Sequence, residues 1–303
     1  MKIKNLLPLV ALSACALSST ATAANWSSTA LHINNGNHKN PFTEQKSSTT
    51  VYSLQHASGH DYGDNFFFID YSTDGNDDNY QDQDFYFEGY STLSLSAVMD
   101  EKVASGALVD VGLTMGINAA GDAKVVKYLP GVKLNWDVPG FNFLSTLVTA
   151  YIDDSEGVAK GGAPIETNSW MFDVAFEYPF MIGSQKFSVK GHAEYIAERE
   201  DEFGNDVRAW FLAQPIIGYQ LVDYRAQFFV GGEYQGLGSN MSGNLGRIGE
   251  LNRDFTYNVG ISLKEWAYLV GVNKQFGKHY SASLLFNKGP SRNSITANFS
   301  YRF

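Results

Sequence analysis

The chain ends in Ser294-Ile295-Thr296-Ala297-Asn298-Phe299-Ser300-Tyr301-Arg302-Phe303, which alternates apolar and polar residues without interruption and finishes on an aromatic residue. Because neighbouring side chains of a β-strand point to opposite faces, one face of such a strand is apolar and the other is polar. A transmembrane β-barrel needs this arrangement in its closing strand, with the apolar face toward lipid and the polar face toward the lumen. The pattern predicts Phe299 on the lipid side and Asn298 on the lumen side.

The same two-residue periodicity recurs upstream. Between residues 170 and 178, Trp170, Phe172 and Tyr178 lie on one face, and Asp173 and Glu177 lie on the other. In a soluble sandwich this aromatic face would have to meet a second sheet, whereas in a barrel it meets lipid. Similar segments occur at residues 85–95, 109–117, 187–195, 207–219, 228–234, 255–263 and 280–286. We therefore predict an all-β fold, a transmembrane antiparallel β-barrel with roughly 12 to 14 strands.

The connections between these segments alternate in length. Short turns are predicted at residues 137–140, 179–184 and 221–224, and longer polar stretches at 72–84, 153–168, 197–206 and 236–253. Outer-membrane barrels have short periplasmic turns and long extracellular loops. Since the long stretches are rich in acidic residues and glycine, we expect the outer mouth to be negatively charged.

The amino terminus has the features of a secretory signal peptide. Lys2 and Lys4 supply a positive region, residues 6–16 are apolar, and Ala21-Thr22-Ala23 is a small-residue cleavage site. We predict a signal peptide at residues 1–23 and an outer-membrane β-barrel at residues 24–303. An alternative stays open, because Leu12-Ser13-Ala14-Cys15 is similar to a lipobox, in which Cys15 would be lipidated. Cys15 is the only cysteine, so the chain has no internal disulfide in either case.

Composition supports one barrel domain. After the signal no apolar run reaches the length of a transmembrane helix, and neither a linker nor a change in composition divides the chain. An aromatic content of 14% with a mean hydropathy of -0.21 fits a barrel in which every second residue is polar. Without Lys2 and Lys4, 20 of the 22 basic residues remain against 32 acidic residues, a net charge of about -12. This charge argues against nucleic acid as a partner.

Motifs for cofactors and metals are absent from the sequence. It contains neither a glycine-rich nucleotide-binding motif nor histidines at metal-site spacing, and we predict no cofactor and no metal. The acidic stretch that contains Asp74, Asp77, Asp78, Asp82 and Asp84 could hold Ca²⁺, but its spacing does not fit an EF-hand. The favoured interpretation is a solvated loop, bridged by divalent cations to lipopolysaccharide.

Three blocks of sequence resemble a known family. Residues 55–70 carry His56-Ala57-Ser58-Gly59, then Tyr62-Gly63-Asp64 and an aromatic run that ends at Asp70. This block is similar to the second and third strands of the Tsx/OmpK family of nucleoside-specific channel-forming outer-membrane proteins. Residues 85–95, and residues 214–216 together with 229–235, resemble further blocks of the same family.

The resemblance implies a fold, a location and a function. It implies a monomeric barrel of about 12 strands in the outer membrane of a Gram-negative bacterium, through which nucleosides diffuse. The chain after about residue 240 is longer than the resemblance leads us to expect. The implied partners are nucleosides, outer-membrane lipid and lipopolysaccharide, and the barrel-assembly machinery, which would recognise the strand that ends at Phe303.

Candidate substrate-binding residues follow from the lumen face of the pattern. A nucleoside is a flat base on an uncharged hydroxylated sugar, so aromatic rings can stack on the base and carboxylates can accept from the hydroxyls. Phe68 and Asp70 enter through the resembling block, and the others through the alternation. The predicted lumen site comprises Phe68, Asp70, Tyr86, Glu88, Tyr90, Glu177, Arg208, Trp210, Arg225 and Phe229, with Asp173, Lys190, His192, Glu194, Gln214 and Glu233 as further lumen-facing positions. The alternative for each charged residue is that it only pairs with another charge across the pore.

Two other functions stay open. The barrel could be a general small-solute porin or a surface structural barrel without a preference for nucleosides. It could also be an outer-membrane lipid hydrolase, because a spacing of two on a strand puts His56 and Ser58 on the same face, where base and nucleophile could meet. The sequence shows no Asn in the context that such a site needs to orient the histidine, so we predict that the protein is not an enzyme.

Overall fold

A computed structural model describes residues 24–39, 46–74, 82–221, 226–237, 267–276, 280–288 and 292–302. Most of them lie in β-strands. The first strands are β1 (Trp26–Lys39), β2 (Lys46–His60), β3 (Gly63–Thr73), β4 (Gln83–Ser94), β5 (Leu108–Ala120), β6 (Val125–Trp136), β7 (Phe143–Asp153), β8 (Ser169–Ile182) and β9 (Gln185–Ile196). They are followed by β10 (Arg199–Glu200), β11 (Asp206–Val207), β12 (Trp210–Ala213), β13 (Ile216–Leu221), β14 (Ala226–Leu237), β15 (Ala267–Phe276), β16 (Tyr280–Lys288) and β17 (Arg292–Arg302).

Helical structure among these residues is limited to one short helix, α1 (Leu95–Met99), and a single 3₁₀ turn at Val158–Lys160. No helix in the described ranges has the length and apolar character that crossing a membrane requires.

All strands except β10 and β11 form one antiparallel sheet that closes on itself, and β10 and β11 pair with each other in a separate hairpin. Each of β1 to β8 pairs with the next strand along the chain, and β14 to β17 do the same. Strand β17 pairs with β1 over eleven positions, from Ser28 opposite Arg302 to His38 opposite Arg292. The closing role that the sequence predicts for the last strand is therefore present in the structure.

Strands β12 and β13 are two parts of one barrel strand. Both pair with β9 on one side and with β14 on the other. The interruption lies at Gln214 and Pro215, and Pro215 has no backbone N–H to donate to the ladder. Gly191 of β9 makes room for this irregularity, since a Cβ there would lie 2.4 Å from the Gln214 carbonyl oxygen.

With β12 and β13 counted as one, the described residues form a barrel of 14 strands. The count of about 12 that the resemblance implied is wrong, and the upper end of the range from the pattern is correct. The carboxy-terminal part of the chain supplies the last three of these strands, β15, β16 and β17. The predicted long segment 255–263 lies outside the described residues, and the strand nearest to it begins at Ala267.

The register separates an apolar outer face from a more polar inner face. On β17 the outward Ile295, Phe299 and Tyr301 are exposed, whereas the inward Thr296 is buried. On β8 the outward Trp170, Phe172 and Tyr178 are exposed, as the alternation predicts. Exposed apolar side chains occupy outward positions on most other strands, among them Leu31, Ile33, Phe85, Leu113, Met115, Val148, Ile217, Phe228, Val230, Phe286.

The two ends of the barrel differ. The short-turn end carries the connections at residues 61–62, 137–142 and 183–184, together with the start of β1 and the end of β17. The long-loop end carries the connections at residues 154–168 and 197–209. The predicted alternation of short and long connections holds over residues 137–209. It does not hold before them, because the long connection at residues 95–107, which contains α1, lies at the short-turn end and the short connection at residues 121–124 lies at the long-loop end. The predicted loop at 236–253 lies almost entirely outside the described residues.

Candidate functional site

The register places most of the predicted site residues on the inner face. Residues directly opposite each other on paired strands share a face. The pairs Asp70 with Tyr86, Phe68 with Glu88, and Asp173 with Glu194 therefore each point to one side of the sheet. Inward positions are held by Phe68, Asp70, Tyr86, Glu88, Tyr90, Asp173, Glu177, Lys190, His192, Glu194, Trp210 and Phe229.

Arg208, Arg225 and Glu233 are not among the residues that the register places on the inner face. Arg208 lies between β11 and β12 and not on a barrel strand, and its side chain is buried. Arg225 lies outside the described residues, as does the side chain of Glu233. That any of these residues binds a substrate stays a prediction.

Carboxylates and aromatic rings meet on the inner face of β3 and β4. The Tyr86 hydroxyl donates a hydrogen bond to the Glu88 carboxylate. The Phe68 ring lies 5.8 Å from the Tyr86 ring, centroid to centroid, at an interplanar angle of 47°. Asp70 accepts a hydrogen bond from the Ser53 side chain. We call Phe68, Asp70, Tyr86 and Glu88 the acidic aromatic site.

Further carboxylates face this site from the other side of the lumen. Asp173 on β8 and Glu194 on β9 stand opposite each other, and both interact electrostatically with Glu88 on β4. Three intervening strands separate β4 from β8 in the sheet, so this interaction crosses the barrel interior. The middle of the lumen is therefore acidic.

An apolar cluster fills the lumen next to the acidic residues. Leu129 and Met171 have 0% and 1% of their surface exposed, and they pack with Tyr151 and Ile196. Tyr90, Leu147 and Trp210 are partly buried against this group. These side chains come from the inward positions of β4, β6, β7, β8, β9 and β12, so the cluster occupies the barrel interior. We call it the lumen cluster.

The sequence pattern did not predict the lumen cluster. Met171 falls on the polar face of its strand by the alternation, and Leu129 stands between Tyr128 and Pro130 with no clear alternation around it. One feature of the sequence could have indicated the cluster: Met171 is a large apolar residue at a position that the alternation assigns to the polar inner face.

Gly116 on β5 allows two members of the lumen cluster to approach. A Cβ at this position would lie 2.6 Å from the Tyr90 ring and 2.9 Å from the Leu129 Cβ.

We therefore predict that Gly116→Ala destabilises the folded barrel by about 1–3 kcal/mol, because the added methyl overpacks the cluster. Urea unfolding in lipid vesicles measures the change. The control is Ala119→Val, which adds volume on the outward face of the same strand. Equal unfolding midpoints for wild type and Gly116→Ala would contradict the prediction.

A network of buried ion pairs lies above the lumen cluster, toward the long-loop end. Lys127 Nζ lies 2.5 Å from Asp153 Oδ2 and 2.8 Å from Glu166 Oε2. Arg199 binds Glu166 through both Nε and Nη2, at 2.8 and 3.0 Å. The Lys127 and Asp153 side chains are 5% and 0% exposed. Lys127 and Arg199 also lie over the Tyr151 ring, 5.3 and 5.4 Å from its centroid.

This network joins two connections to the barrel wall. Glu166 belongs to the connection between β7 and β8, and Arg199 belongs to the β10–β11 hairpin between β9 and β12. A β-bridge between Glu166 and Asp201 holds the connection to the hairpin. The two connections therefore fold over the lumen cluster. The alternation of segment 207–219 puts Val207 on the same apolar face as Phe211 and Ile217. That assignment is wrong, because the chain leaves the barrel wall here and Val207 is buried in the hairpin.

The turn of the β10–β11 hairpin is organised by Asp201. Its carboxylate accepts hydrogen bonds from Asn205 Nδ2 and from the backbone N–H groups of Phe203 and Asn205, at 2.8, 2.9 and 2.8 Å. Burial opposes ionisation slightly, but these hydrogen bonds prevail and hold the pKa of Asp201 below its ordinary value of 3.8. The carboxylate is therefore ionised at neutral pH, which keeps the hairpin in shape.

His56 and Ser58 lie on the outer face of β2. His56 Nδ1 lies 2.8 Å from Thr29 Oγ1, and the His56 ring stacks on Phe67 at 5.4 Å between centroids. Asn65 stands opposite Ser58 in the register, not opposite His56. The histidine thus contacts Thr29 and Phe67 on the two neighbouring strands.

No group of three potential metal ligands occurs among the residues that the structure describes. Asp77 and Asp78, from the acidic stretch considered for Ca²⁺, lie outside those residues.

No protein-family model and no curated protein sequence matches the chain. Among solved structures, CdiB from Acinetobacter baumannii is similar at 9% identity and a TM-score of 0.48, over 91% of this chain; the chain spans 60% of CdiB. The outer membrane protein Omp33 from A. baumannii is similar at 9% identity and a TM-score of 0.46, over 92% of this chain and 99% of Omp33. The toluene transporter TodX from Pseudomonas putida is similar at 10% identity and a TM-score of 0.47, over 94% of this chain and 90% of TodX. Similarities of this size carry no statement about ligands, and the barrel architecture rests on the strand pairing itself.

Proposed function

We propose that this protein is a channel in the outer membrane of a Gram-negative bacterium and that nucleosides diffuse through it. The observation that carries the proposal is the acidic aromatic site on the inner wall of a closed barrel, where the Phe68 and Tyr86 rings adjoin the Glu88 carboxylate. A pore-lining wall that offers both ring faces and hydrogen-bond acceptors suits a solute with a flat base and a hydroxylated sugar.

The membrane location is supported by the outer face of the barrel. Exposed apolar residues on so many strands would form a water-exposed surface far larger than soluble monomers tolerate. In a membrane this apolar surface contacts lipid and not water. The closed sheet also leaves no unpaired strand edge in the hydrocarbon region. The short-turn end, which carries the start of β1 and the end of β17, would then face the periplasm, as in other outer-membrane barrels.

The chemistry of the lumen supports a weakly binding pore. Aromatic side chains stack on bases with about 1–3 kcal/mol per base. The Asp70 and Glu88 carboxylates can accept hydrogen bonds from ribose hydroxyls. Conduction requires sites that bind weakly enough to release the solute. One ring pair with two acceptors meets that requirement better than a closed pocket.

Substrate entry into proteoliposomes tests the proposal. We expect adenosine or thymidine to enter faster than a sugar of equal mass. Tyr86→Ala should reduce the nucleoside rate by a factor of about 5 or more, because a stacking surface worth about 1–3 kcal/mol is lost. Glycerol entry should change little. Phe85→Ala, which removes an outward ring from the neighbouring position, is the matched control.

The outcomes separate the alternatives. Equal entry of nucleosides and equal-mass sugars would leave a general small-solute porin, and no entry of either would leave a surface structural barrel. Purified protein that hydrolyses phospholipid, with loss of hydrolysis in Ser58→Ala, would replace the channel proposal with the lipid hydrolase.

The same proposal includes two partners. The alternation of β17 and the aromatic end of the chain suit recognition by the barrel-assembly machinery; Phe303 itself lies outside the described residues. The acidic connections of the long-loop end suit contact with lipopolysaccharide through divalent cations.

A further inference from the structure

One row of inward polar side chains crosses six neighbouring strands. The pairing register links each member directly to the next: Asn273 on β15, Ser283 on β16, Asn298 on β17, His32 on β1, Ser53 on β2 and Asp70 on β3. Because paired residues share a face and Asp70 faces the lumen, the whole row faces the lumen. We call these six residues the polar row.

Hydrogen bonds connect five of the six members of the polar row in two groups. Asn298 Nδ2 donates to Ser283 Oγ at 2.8 Å, and His32 Nδ1 lies 2.6 Å from Asn298 Oδ1. In the second group the Ser53 side chain donates to the Asp70 carboxylate. The register places the two groups side by side, with His32 opposite Ser53.

These bonds fix the tautomer of His32. Since Asn298 Oδ1 can only accept, His32 Nδ1 must carry the proton, which leaves Nε2 as an acceptor when the ring is neutral. Within the part of the chain that the structure describes, no group donates to this Nε2. A buried acceptor without a donor costs about 1–3 kcal/mol.

The row leads from one mouth of the barrel toward the other. Barrel strands tilt by about 35–45° from the axis, so a row of directly paired residues climbs along the axis as it crosses strands. Asn273 is close to the short-turn end of β15, and Asp70 is close to the long-loop end of β3. Tyr86, which pairs with Asp70, continues the row into the acidic aromatic site.

The other side of the lumen is less suited to a neutral polar solute. It carries the lumen cluster, the Asp173 and Glu194 carboxylates and, toward the long-loop end, the buried ion pairs of Lys127 and Arg199. The polar row instead offers amide, hydroxyl and imidazole groups, contains no lysine or arginine, and ends on a carboxylate.

We propose that the polar row is the path of permeation and that it selects neutral solutes with several hydroxyl or amide groups over anions. The inference rests on the proposed channel function and names its solute class. A solute that moves along the row exchanges one hydrogen bond for the next, so it never loses all its partners at once, and each contact stays weak enough for release. Asp70 and Glu88 near the end of the path repel anions.

Asn298→Leu tests the path. Purified protein in liposomes should admit ribose about threefold more slowly with Asn298→Leu than without it, because each lost hydrogen bond is worth about 0.5–1.5 kcal/mol. Wild type should admit ribose faster than ribose 5-phosphate. The matched control is Asn135→Leu, the same change at an inward position of β6 outside the row, which should leave ribose entry within about twofold of wild type.

Two substitutions of His32 supply a second test, which still holds if Asn298→Leu fails to fold. His32→Leu should slow ribose entry, whereas His32→Gln, which keeps a donor and an acceptor, should restore most of it. Heat-modifiable migration verifies that each variant is folded.

The possible failures are distinct. A wild type that conducts solutes, with Asn298→Leu and Asn135→Leu equal to each other, would overturn the polar row and leave the channel. Faster entry of the phosphorylated sugar would also overturn the row. A wild type that admits no solute at all would overturn the channel and the row together.

Discussion

Lys127→Met is expected to lower the free energy of unfolding by about 3–5 kcal/mol, because it leaves a buried carboxylate without its cation. Asp153 is fully buried and lies 2.5 Å from the ammonium group that the substitution removes. Glu166 loses the same partner and keeps only Arg199. Urea titration in lipid vesicles, followed by heat-modifiable migration, measures the loss.

Lys124→Met is the matched control for this substitution. Lys124 Nζ lies 3.9 Å from Glu156, and both side chains are partly exposed. Such surface pairs contribute about 0–1 kcal/mol, so the control should unfold close to wild type. If Lys127→Met and Lys124→Met unfolded at the same urea concentration, the buried network would have no structural role.

The same substitution should alter the pore. Glu166 holds the connection at residues 154–168 to the barrel wall through Lys127 and to the β10–β11 hairpin through Arg199. With one of these bonds removed, the connection is expected to open more often above the lumen cluster. Single-channel recordings should then show more frequent transitions in Lys127→Met than in wild type.

Leu129→Ala is expected to destabilise the barrel by about 2–5 kcal/mol and to raise its conductance. Leu129 has no exposed surface and packs against Met171, Tyr151 and Ile196, so the smaller side chain leaves a cavity. Because Leu129 points into the lumen, the space that its side chain vacates should widen the cross-section of the pore. Urea unfolding measures the stability, and planar-bilayer recording measures the conductance.

Leu113→Ala provides the comparison for Leu129→Ala. Leu113 is an outward, exposed residue of β5, so its truncation removes a similar side chain without touching the lumen. It should cost less stability and leave the conductance unchanged. Wild-type conductance in a folded Leu129→Ala protein would show that the lumen cluster lies outside the conducting cross-section.

The sequence pattern correctly placed on the inner face those candidate residues that lie on regular barrel strands. Tyr86, Glu88 and Tyr90 are two residues apart on one strand, so a single choice of face placed all of them in the lumen. Arg208 and Val207 were assigned by the same rule, but there the chain leaves the barrel wall for a short hairpin, and alternation no longer reports a face. Leu129 and Met171 could not be identified as buried, because their neighbours come from other strands.

The sequence by itself determined the fold class and the two faces of the wall. A strand turns successive side chains to opposite sides whatever surrounds it, so the alternation from Ser294 to Phe303 and from Trp170 to Tyr178 could be read without neighbours. Only the tertiary structure decided the strand number, the lumen cluster, the polar row and the ion pair between Lys127 and Glu166, which are 39 residues apart. These features depend on which strands are adjacent and in what register, and pairing between distant segments is set when the sheet closes.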